Sequence, residues 1–307
     1  MDIRQLKSLV AVLDYGGFSA AAAALGTVQS NVSTHVSKLE AEVGSVLFDR
    51  RTGNPTAEGL IVAARSRRLL SELEAIKSDI SAARGDLRGR VRVGMIGTTA
   101  RWLIPLLVTR AQRVHPNLGL EISEGTSSVL QSWVSVGRVD LALINRPIGM
   151  DEVDFSPLFT EALVLLVKRN HRLATAHSVS IRDLAGIELL VPPKGTGFRD
   201  ELDAVAATCG VRITPKAEVD GLRLIAALAL DGFGPAILPS SAIPHYLQDK
   251  ISAIAISDLA PRQIGVARRT KALDSSTAKA TIQMLDDILA DTDTAIPNGI
   301  VLTRSRR

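Results

Sequence analysis

The chain has 307 residues, 46% of them hydrophobic and 22% charged, a composition that excludes extensive disorder and exceeds what one ordinary domain needs. The formal net charge is only +4, and residues 1–90 hold 12 Lys and Arg against 10 Asp and Glu, so charge alone does not nominate a nucleic-acid partner. One cysteine, Cys209, excludes an intramolecular disulfide and a cysteine metal cluster and suits a reducing cytosol, while the lack of any run near ~18 apolar residues argues against a membrane span and the apolar run Leu9–Leu13, stopped by Asp14, is too short for an export signal.

Ile3, Leu6, Leu9, Val10 and Leu13 recur at helical spacing before Gly16 and Gly17, which predicts a first helix. A second is expected over Ala20–Leu25, capped by Ser19 and closed by Gly26. From Gln29 onward Val32, Val36, Leu39 and Val43 form one apolar stripe that stops at Gly44. At about 100° per residue, Ser30, Thr34 and Ser37 point away from it, with Asn31, Ser33 and Lys38 on its shoulders. Two short helices joined by a tight turn, the second showing small hydrogen-bonding side chains, is the geometry of a helix-turn-helix that enters the major groove. Periodicity leaves the alternative of an ordinary amphipathic helix open.

The order Phe18-Ser19, Ala21–Leu25, Gln29-Ser30-Asn31-Val32-Ser33, Leu39-Glu40, Gly44, Leu47-Phe48, Arg50, Thr56 and Gly59 resembles the N-terminal signature of the LysR-type transcriptional regulators, and it covers most of residues 1–90. The resemblance implies a winged helix-turn-helix in residues 1–58, with Gln29, Asn31 and Ser33 reading bases, Lys38, Arg50 and Arg51 on phosphate, and Ser30 and Thr34 also on the DNA-binding face. Two positions depart from the pattern. Val28 stands where the family carries a capping Ser or Thr, leaving Thr27 as the candidate cap, and Thr34 stands where an Arg is common.

Residues 59–88 carry two interleaved strings seven residues apart: Val62, Leu69, Ile76 and Ala83, and Ser66, Leu73, Ile80 and Leu87. That is a heptad pattern with one polar exception, on a rod of about 29 residues reaching roughly 43 Å. A helix lying on its own domain is the alternative. The LysR resemblance implies a two-fold dimer through this rod, with the working assembly a dimer or a tetramer. Arg65, Arg67 and Arg68 lie off the strings, as solvated charge or as contacts to flanking DNA.

Residues 89–295 alternate short apolar strands (Val91–Ile96, Leu120–Ser123, Val139–Ile144, Leu163–Val167, Leu189–Val191, Pro235–Leu238) with helical stretches, which predicts an α/β unit with largely parallel sheets. Gly97-Thr98-Thr99 and Gly125-Thr126-Ser127 each follow a strand and open a helix, where free N–H groups and hydroxyls suit a small anion. Each loop could equally be a plain helix cap. The family resemblance implies a fold like that of periplasmic binding proteins, with an effector held between subdomain I (about 89–160 and 268–291) and subdomain II (about 161–267). Pro192, Pro193 and Lys194 would then form the opposing wall, with Arg101, Arg146 and Lys194 as counter-charges. The chain is expected to cross between subdomains near Leu158–Glu161 and again near Ile264–Ala267. Ile225–Leu238 resembles the family's second-subdomain helix, turn and strand. Cys209 reads as a small buried hydrophobe. Residues 296–307, with Arg304, Arg306 and Arg307, read as a flexible basic tail.

The sequence argues against catalysis: His35, His115, His171, His177 and His245 show no ligand spacing, and HExxH, GxSxG and GxGxxG stretches are missing. The expectation is therefore an α+β multidomain chain with no cofactor and no metal. Promoter duplex DNA, a small-molecule effector, further copies of itself and RNA polymerase are its partners, in the cytoplasm and away from membranes.

Overall fold

The computed structural model describes residues 1–147, 149, 152–243, 251–270, 273–292, 294 and 296–303. Asp2 and Gln5 form a reciprocal capping box, the Asp2 carboxylate accepting from Gln5 N at 2.9 Å, and so fix the start of α1 (Ile3–Tyr15). α2 (Phe18–Ala24) and α3 (Gln29–Val43) pack on it around Leu9, Val12, Ala21, Val32, Val36 and Leu39. Gly44 ends α3 at φ 77°, in the left-handed region that favours glycine. Ser19 is not the cap of α2. That helix begins at Phe18, two residues earlier than expected, with Gly17 in the cap position; the Phe18 ring meets Phe48 edge-on at 5.3 Å, and the Ser19 hydroxyl donates to Gln29. β1 (Phe48–Asp49) and β2 (Asn54–Pro55) pair antiparallel as the wing.

Thr56 caps α4 (Ala57–Ala83) by accepting from Gly59 N at 2.9 Å. Its 27 residues rise about 40 Å. The first heptad does not face outward: Val62 and Ala63 pack on the helix-turn-helix core, buried Ser66 donates to Val62 O, and Arg67 pairs with Asp14 of α1 at 2.6 Å. Further along, Arg68 donates to Ser135 O, Ser71 to Asp140, and Asp79 accepts from Ser276 N, so the helix is stitched to the larger unit as well. Of the heptad positions, Leu69, Leu73, Ile76 and Ile80 remain outside as a stripe, exposed by 55, 37, 56 and 52%. Leu87 lies beyond the helix end.

The chain then runs through β3 (Gly89–Met95), α5 (Gly97–Val114), β4 (Leu118–Glu124), α6 (Ser127–Ser135), β5 (Leu141–Asn145) and β6 (Val153–Glu161). It continues through β7 (Leu163–Lys168), β8 (Ser178–Val179), β9 (Glu188–Val191), α7 (Gly197–Thr208), β10 (Thr214–Glu218), α8 (Leu222–Asp231), β11 (Ala236–Pro239), a 3-10 turn at Ser240–Ala242 and β12 (Ile251–Ile256), and returns by β13 (Arg262–Arg269), α9 (Ser276–Ala290) and β14 (Ile300–Leu302). One six-stranded sheet has the order β14-β6-β13-β5-β3-β4, the other β10-β9-β11-β7-β12-β8. Both are mixed rather than largely parallel. The chain leaves the first sheet through β6 and comes back beside it through β13, and neighbours of that kind must run antiparallel.

The outward crossing falls at Ala162. The return is complete before Arg262, earlier than Ile264–Ala267, which lies inside β13 paired to β5. The expected flexible tail is ordered over Ile300–Leu302, which pairs with Glu161, Thr160 and Phe159 of β6; Arg304, Arg306, Arg307 and His245 lie outside the described residues. Cys209 is half-buried at the end of α7, against the second sheet's core. No helix among the described residues is long and apolar enough to cross a membrane.

Candidate functional site

Two sites are built on this frame. At the first, Val32, Val36 and Leu39 anchor α3 inward, so Gln29, Ser30, Asn31, Thr34 and Lys38 are exposed on its outer side. Val28 occupies the cap position without a side-chain hydrogen bond. Thr27 does not replace it: its hydroxyl accepts from Asn31 Nδ2 at 3.0 Å. Thr34 donates back to Ser30 O, the usual resort of a mid-helix threonine. Arg50 leans off the wing onto α3, donating to Ser33 and Ser37 at 3.0 and 2.8 Å and lying 4.8 Å from the Phe18 ring centre. Ser33 is therefore engaged by Arg50, whereas Arg51 stays exposed at the tip beside Asp49. The surface offers amide, hydroxyl and guanidinium groups hydrogen-bonded within the helix-turn-helix and wing.

At the second site, β3 lies between β4 and β5, parallel to both, so three strand ends deliver Thr98, Thr126 with Ser127, and Arg146 to one edge of the first sheet. Their environments differ. Thr126 caps α6, accepting from Val129 N at 3.4 Å, and Ser127 accepts from Asn145 N at 3.1 Å. Thr98 and Thr99 are not caps, because Ile96 holds that position. Both are buried, and neither hydroxyl has a partner among the described residues. Thr98 shares its helix face with Arg101 and Trp102, and Arg101 donates across to Ala242 O in the second subdomain at 2.9 Å.

The start of α5 is not bare. Any side chain at Gly97 would collide with the Glu124 carboxylate, which also takes a bidentate pair from Arg223 of α8 at 2.6 and 3.1 Å. That pair spans the two subdomains at the cleft mouth. Arg146 is exposed and reaches Gln263, and Lys194 is exposed beyond half-buried Pro193. Neither joins the cluster around Thr98.

Deeper in, at the crossing strands, Glu161 is fully buried, hydrogen-bonded by the Ser241 hydroxyl and 3.5 Å from Arg262. Burial pushes its carboxyl above the ordinary range, against the opposing pulls of Arg262 and Ser241. Residue type and spacing do not single out Glu161, Arg262, Trp102, Glu124 or Arg223, yet two of them leave a trace in the sequence. Glu161 is the lone charge in Leu158–Val167, and Arg223 interrupts the apolar run after Leu222.

Residues 3–60 match the family model for the bacterial regulatory helix-turn-helix protein of the lysR family, and residues 84–290 match the LysR substrate binding domain. A probable hydrogen peroxide-inducible genes activator of Streptomyces viridosporus is 30% identical over 299 residues, covering 94% of this chain and 95% of the relative. The dual regulator OxyR of Escherichia coli is 27% identical over 249 residues, 80% of this chain and 81% of its own length. Among solved structures, a full-length OxyR variant from Pseudomonas aeruginosa superposes with a TM-score of 0.76 at 25% identity, covering 100% of this chain and 99% of that one. CbnR complexed with its target DNA superposes at 0.63 with 23% identity, covering 94% and 99%.

Proposed function

The chain belongs to the LysR family of DNA-binding transcriptional regulators, and from that membership we propose that it binds promoter DNA as a homo-oligomer and answers a small organic anion held between its two subdomains. The observation that carries the effector half is the pair of buried hydroxyls of Thr98 and Thr99 in the first turn of α5, which have no partner among the described residues. A buried polar group left unpaired costs about 1–3 kcal/mol, a cost that a ligand supplying the missing partner removes. The partial positive charge of a helix start favours an anion there, in competition with Glu124. Thr126, Ser127, Arg101, Arg146, Pro193 and Lys194 are the further residues of this reading, Thr126 chiefly as a cap.

Oligomerisation rests on the exposed stripe Leu69, Leu73, Ile76 and Ile80, whose spacing of four, three and four fits a coiled-coil seam. DNA recognition rests on Gln29, Ser30, Asn31, Ser33 and Thr34 for bases and Lys38, Arg50 and Arg51 for phosphate, in the cytoplasm and with RNA polymerase as the downstream partner. Several relatives are named as activators of hydrogen peroxide-inducible genes. A peroxide response through a disulfide within one chain is closed to this protein, which has Cys209 alone.

The test is a thermal-shift screen of small metabolites on the full chain, followed by footprinting on the DNA upstream of its own gene with and without each hit. An anion that raises the melting temperature and alters the footprint is the expected result. A hit list made only of neutral or cationic compounds would overturn the effector assignment and leave the family membership standing.

A further inference from the structure

The chain passes from the first subdomain to the second through a single residue. β6 ends at Glu161 and β7 begins at Leu163, so Ala162 alone makes the outward crossing. Its two backbone groups are held by different parts of the molecule. The Ala162 N–H donates to Gly299 O at 2.9 Å, and the Ala162 carbonyl accepts at 2.9 Å from Ser240 N, just beyond β11 in the second subdomain. Gly299 leads directly into β14, whose Ile300, Val301 and Leu302 lie opposite Glu161, Thr160 and Phe159. Thr303 N then donates to Leu158 O at 2.9 Å, so residues 299–303 run back along β6 from the crossing into the first subdomain.

Gly299 also reaches the second subdomain. It turns at φ 77°, and a Cβ on it would stand 2.9 Å from the Ser240 side chain and 3.5 Å from that of Ala162, so glycine is what lets the strand start this close to the crossing. On the other side of β6, Arg262 of the return crossing lies opposite Glu161, which sets Ile300, Glu161 and Arg262 abreast on three neighbouring strands. Gly299 and β14 thus touch both subdomains at the point where the chain joins them. β14 lies beyond residues 84–290, the stretch that matches the LysR substrate binding domain, and family membership assigns it no role.

We propose that β14 is a clamp on the hinge between the two subdomains. Anchored along β6 and lodged against Ser240, it holds Ala162 and limits how far the second subdomain swings against the first. A rotation about Ala162 displaces Ser240 relative to β6, and with β14 in place that motion must break the Gly299 bond to Ala162 or push Ser240 against Gly299. The clamp is also able to let go. It is 3 residues long, with Val301 66% and Leu302 37% exposed, so little apolar area holds it and local detachment costs far less than unfolding the sheet. Covering an otherwise open sheet edge is the simpler role for such a strand, but that role needs the pairing with β6 alone and leaves the grip on Ala162 and Ser240 unexplained. The clamp acts on the crossing itself, whatever the cleft binds.

The test compares the full-length protein with a chain ending at Asn298, with Val301→Pro, which takes an N–H from the middle of the strand, and with a chain ending at Thr303. The last keeps β14 and loses only Arg304, Ser305, Arg306 and Arg307. Amide hydrogen exchange is read on each. The separation of spin labels at Gln112→Cys on α5 and Ala207→Cys on α7, both exposed positions, is read in a Cys209→Ser background with one labelled chain per assembly. Loss of the clamp should speed exchange at Ser240–Ala242 by about three- to tenfold, the weight of one backbone hydrogen bond. It should also widen the distribution of label separations, in the chain ending at Asn298 and in Val301→Pro alike, while the chain ending at Thr303 matches the wild type. Exchange that quickens in β6 alone, with label separations unchanged, means that β14 only covers an edge and overturns the inference. So does a chain ending at Thr303 that behaves like the one ending at Asn298, which would move the effect to the terminal charges. Circular dichroism checks folding, and if the shortest chain fails to fold, Val301→Pro carries the test.

Discussion

Thr98 and Thr126 open neighbouring helices and look alike in sequence, yet replacing each by Val should move stability in opposite directions. The Thr98 side chain is 2% exposed and its hydroxyl has no partner among the described residues. Valine keeps the β-branch and nearly the volume while removing a buried polar group whose unpaired cost is about 1–3 kcal/mol. Allowing for some relaxation, the ligand-free protein should gain about 1 kcal/mol, a rise in melting temperature of about 2–4 °C for a unit of this size. Thr126 instead accepts from Val129 N as the cap of α6, at a long 3.4 Å. Losing a cap costs about 0.5–2 kcal/mol, and the length of this bond favours the lower end, so Thr126→Val should melt about 1–3 °C lower. Calorimetric scans of the two variants beside the wild type, without ligand, decide the matter. A Thr98→Val protein that melts lower by as much as Thr126→Val would mean that the Thr98 hydroxyl is already satisfied in the free protein, and the reasoning for an effector there would fail. With a bound anion the order should reverse for Thr98, its variant losing about 5- to 30-fold in affinity.

Three further outcomes follow from named contacts. Leu73→Asp with Ile80→Asp places two charges in the exposed stripe of α4 and should yield monomers in sedimentation at low micromolar concentration; an unchanged mass would remove the stripe as the seam. Asn31→Ala should alter which bases a footprint prefers, whereas Arg50→Ala, which also frees Ser33 and Ser37, should weaken specific and random duplex alike and flatten the salt dependence by about one phosphate contact. The Ser276 hydrogen bonds hold the Asp79 carboxyl below its ordinary 3.8; since the depressed value belongs to the folded state, its contribution is present above about pH 4 and lost as pH falls through the folded value. The stability gap between wild type and Asp79→Asn, measured by urea unfolding, should therefore close on acidification from pH 7 towards pH 3, and a gap that widens would contradict the assignment.

The helix-turn-helix was legible because its information is local. A period of 3.6 in Val32, Val36 and Leu39 states which face is buried, Gly44 states where the helix ends, and α3 runs from Gln29 to Val43 as that pattern requires. β3 and β4 were likewise announced by apolar runs ahead of Gly- and hydroxyl-bearing turns, and β5 by its apolar run alone.

What a side chain is buried against is not local. Val62 and Ser66 obey the heptad of α4 as well as Leu69 and Leu73 do, yet the first pair faces α1 and its neighbours while the second faces out, because the helix-turn-helix covers only the first turns of the rod. Thr98 and Thr126 read as the same motif until the backbone makes Ile96 the cap of one helix and Thr126 the cap of the other. Ile300–Leu302 carries a short apolar signal that gains meaning only beside the open edge of β6. Arg262 and Glu161 lie far apart in the chain and meet because both crossings between the subdomains use adjacent strands. Sequence sets the periodicity of each element and hence its buried side; the pairing of elements distant in the chain, which alone creates the cleft and its buried charges, is settled by the energy of the whole packed structure.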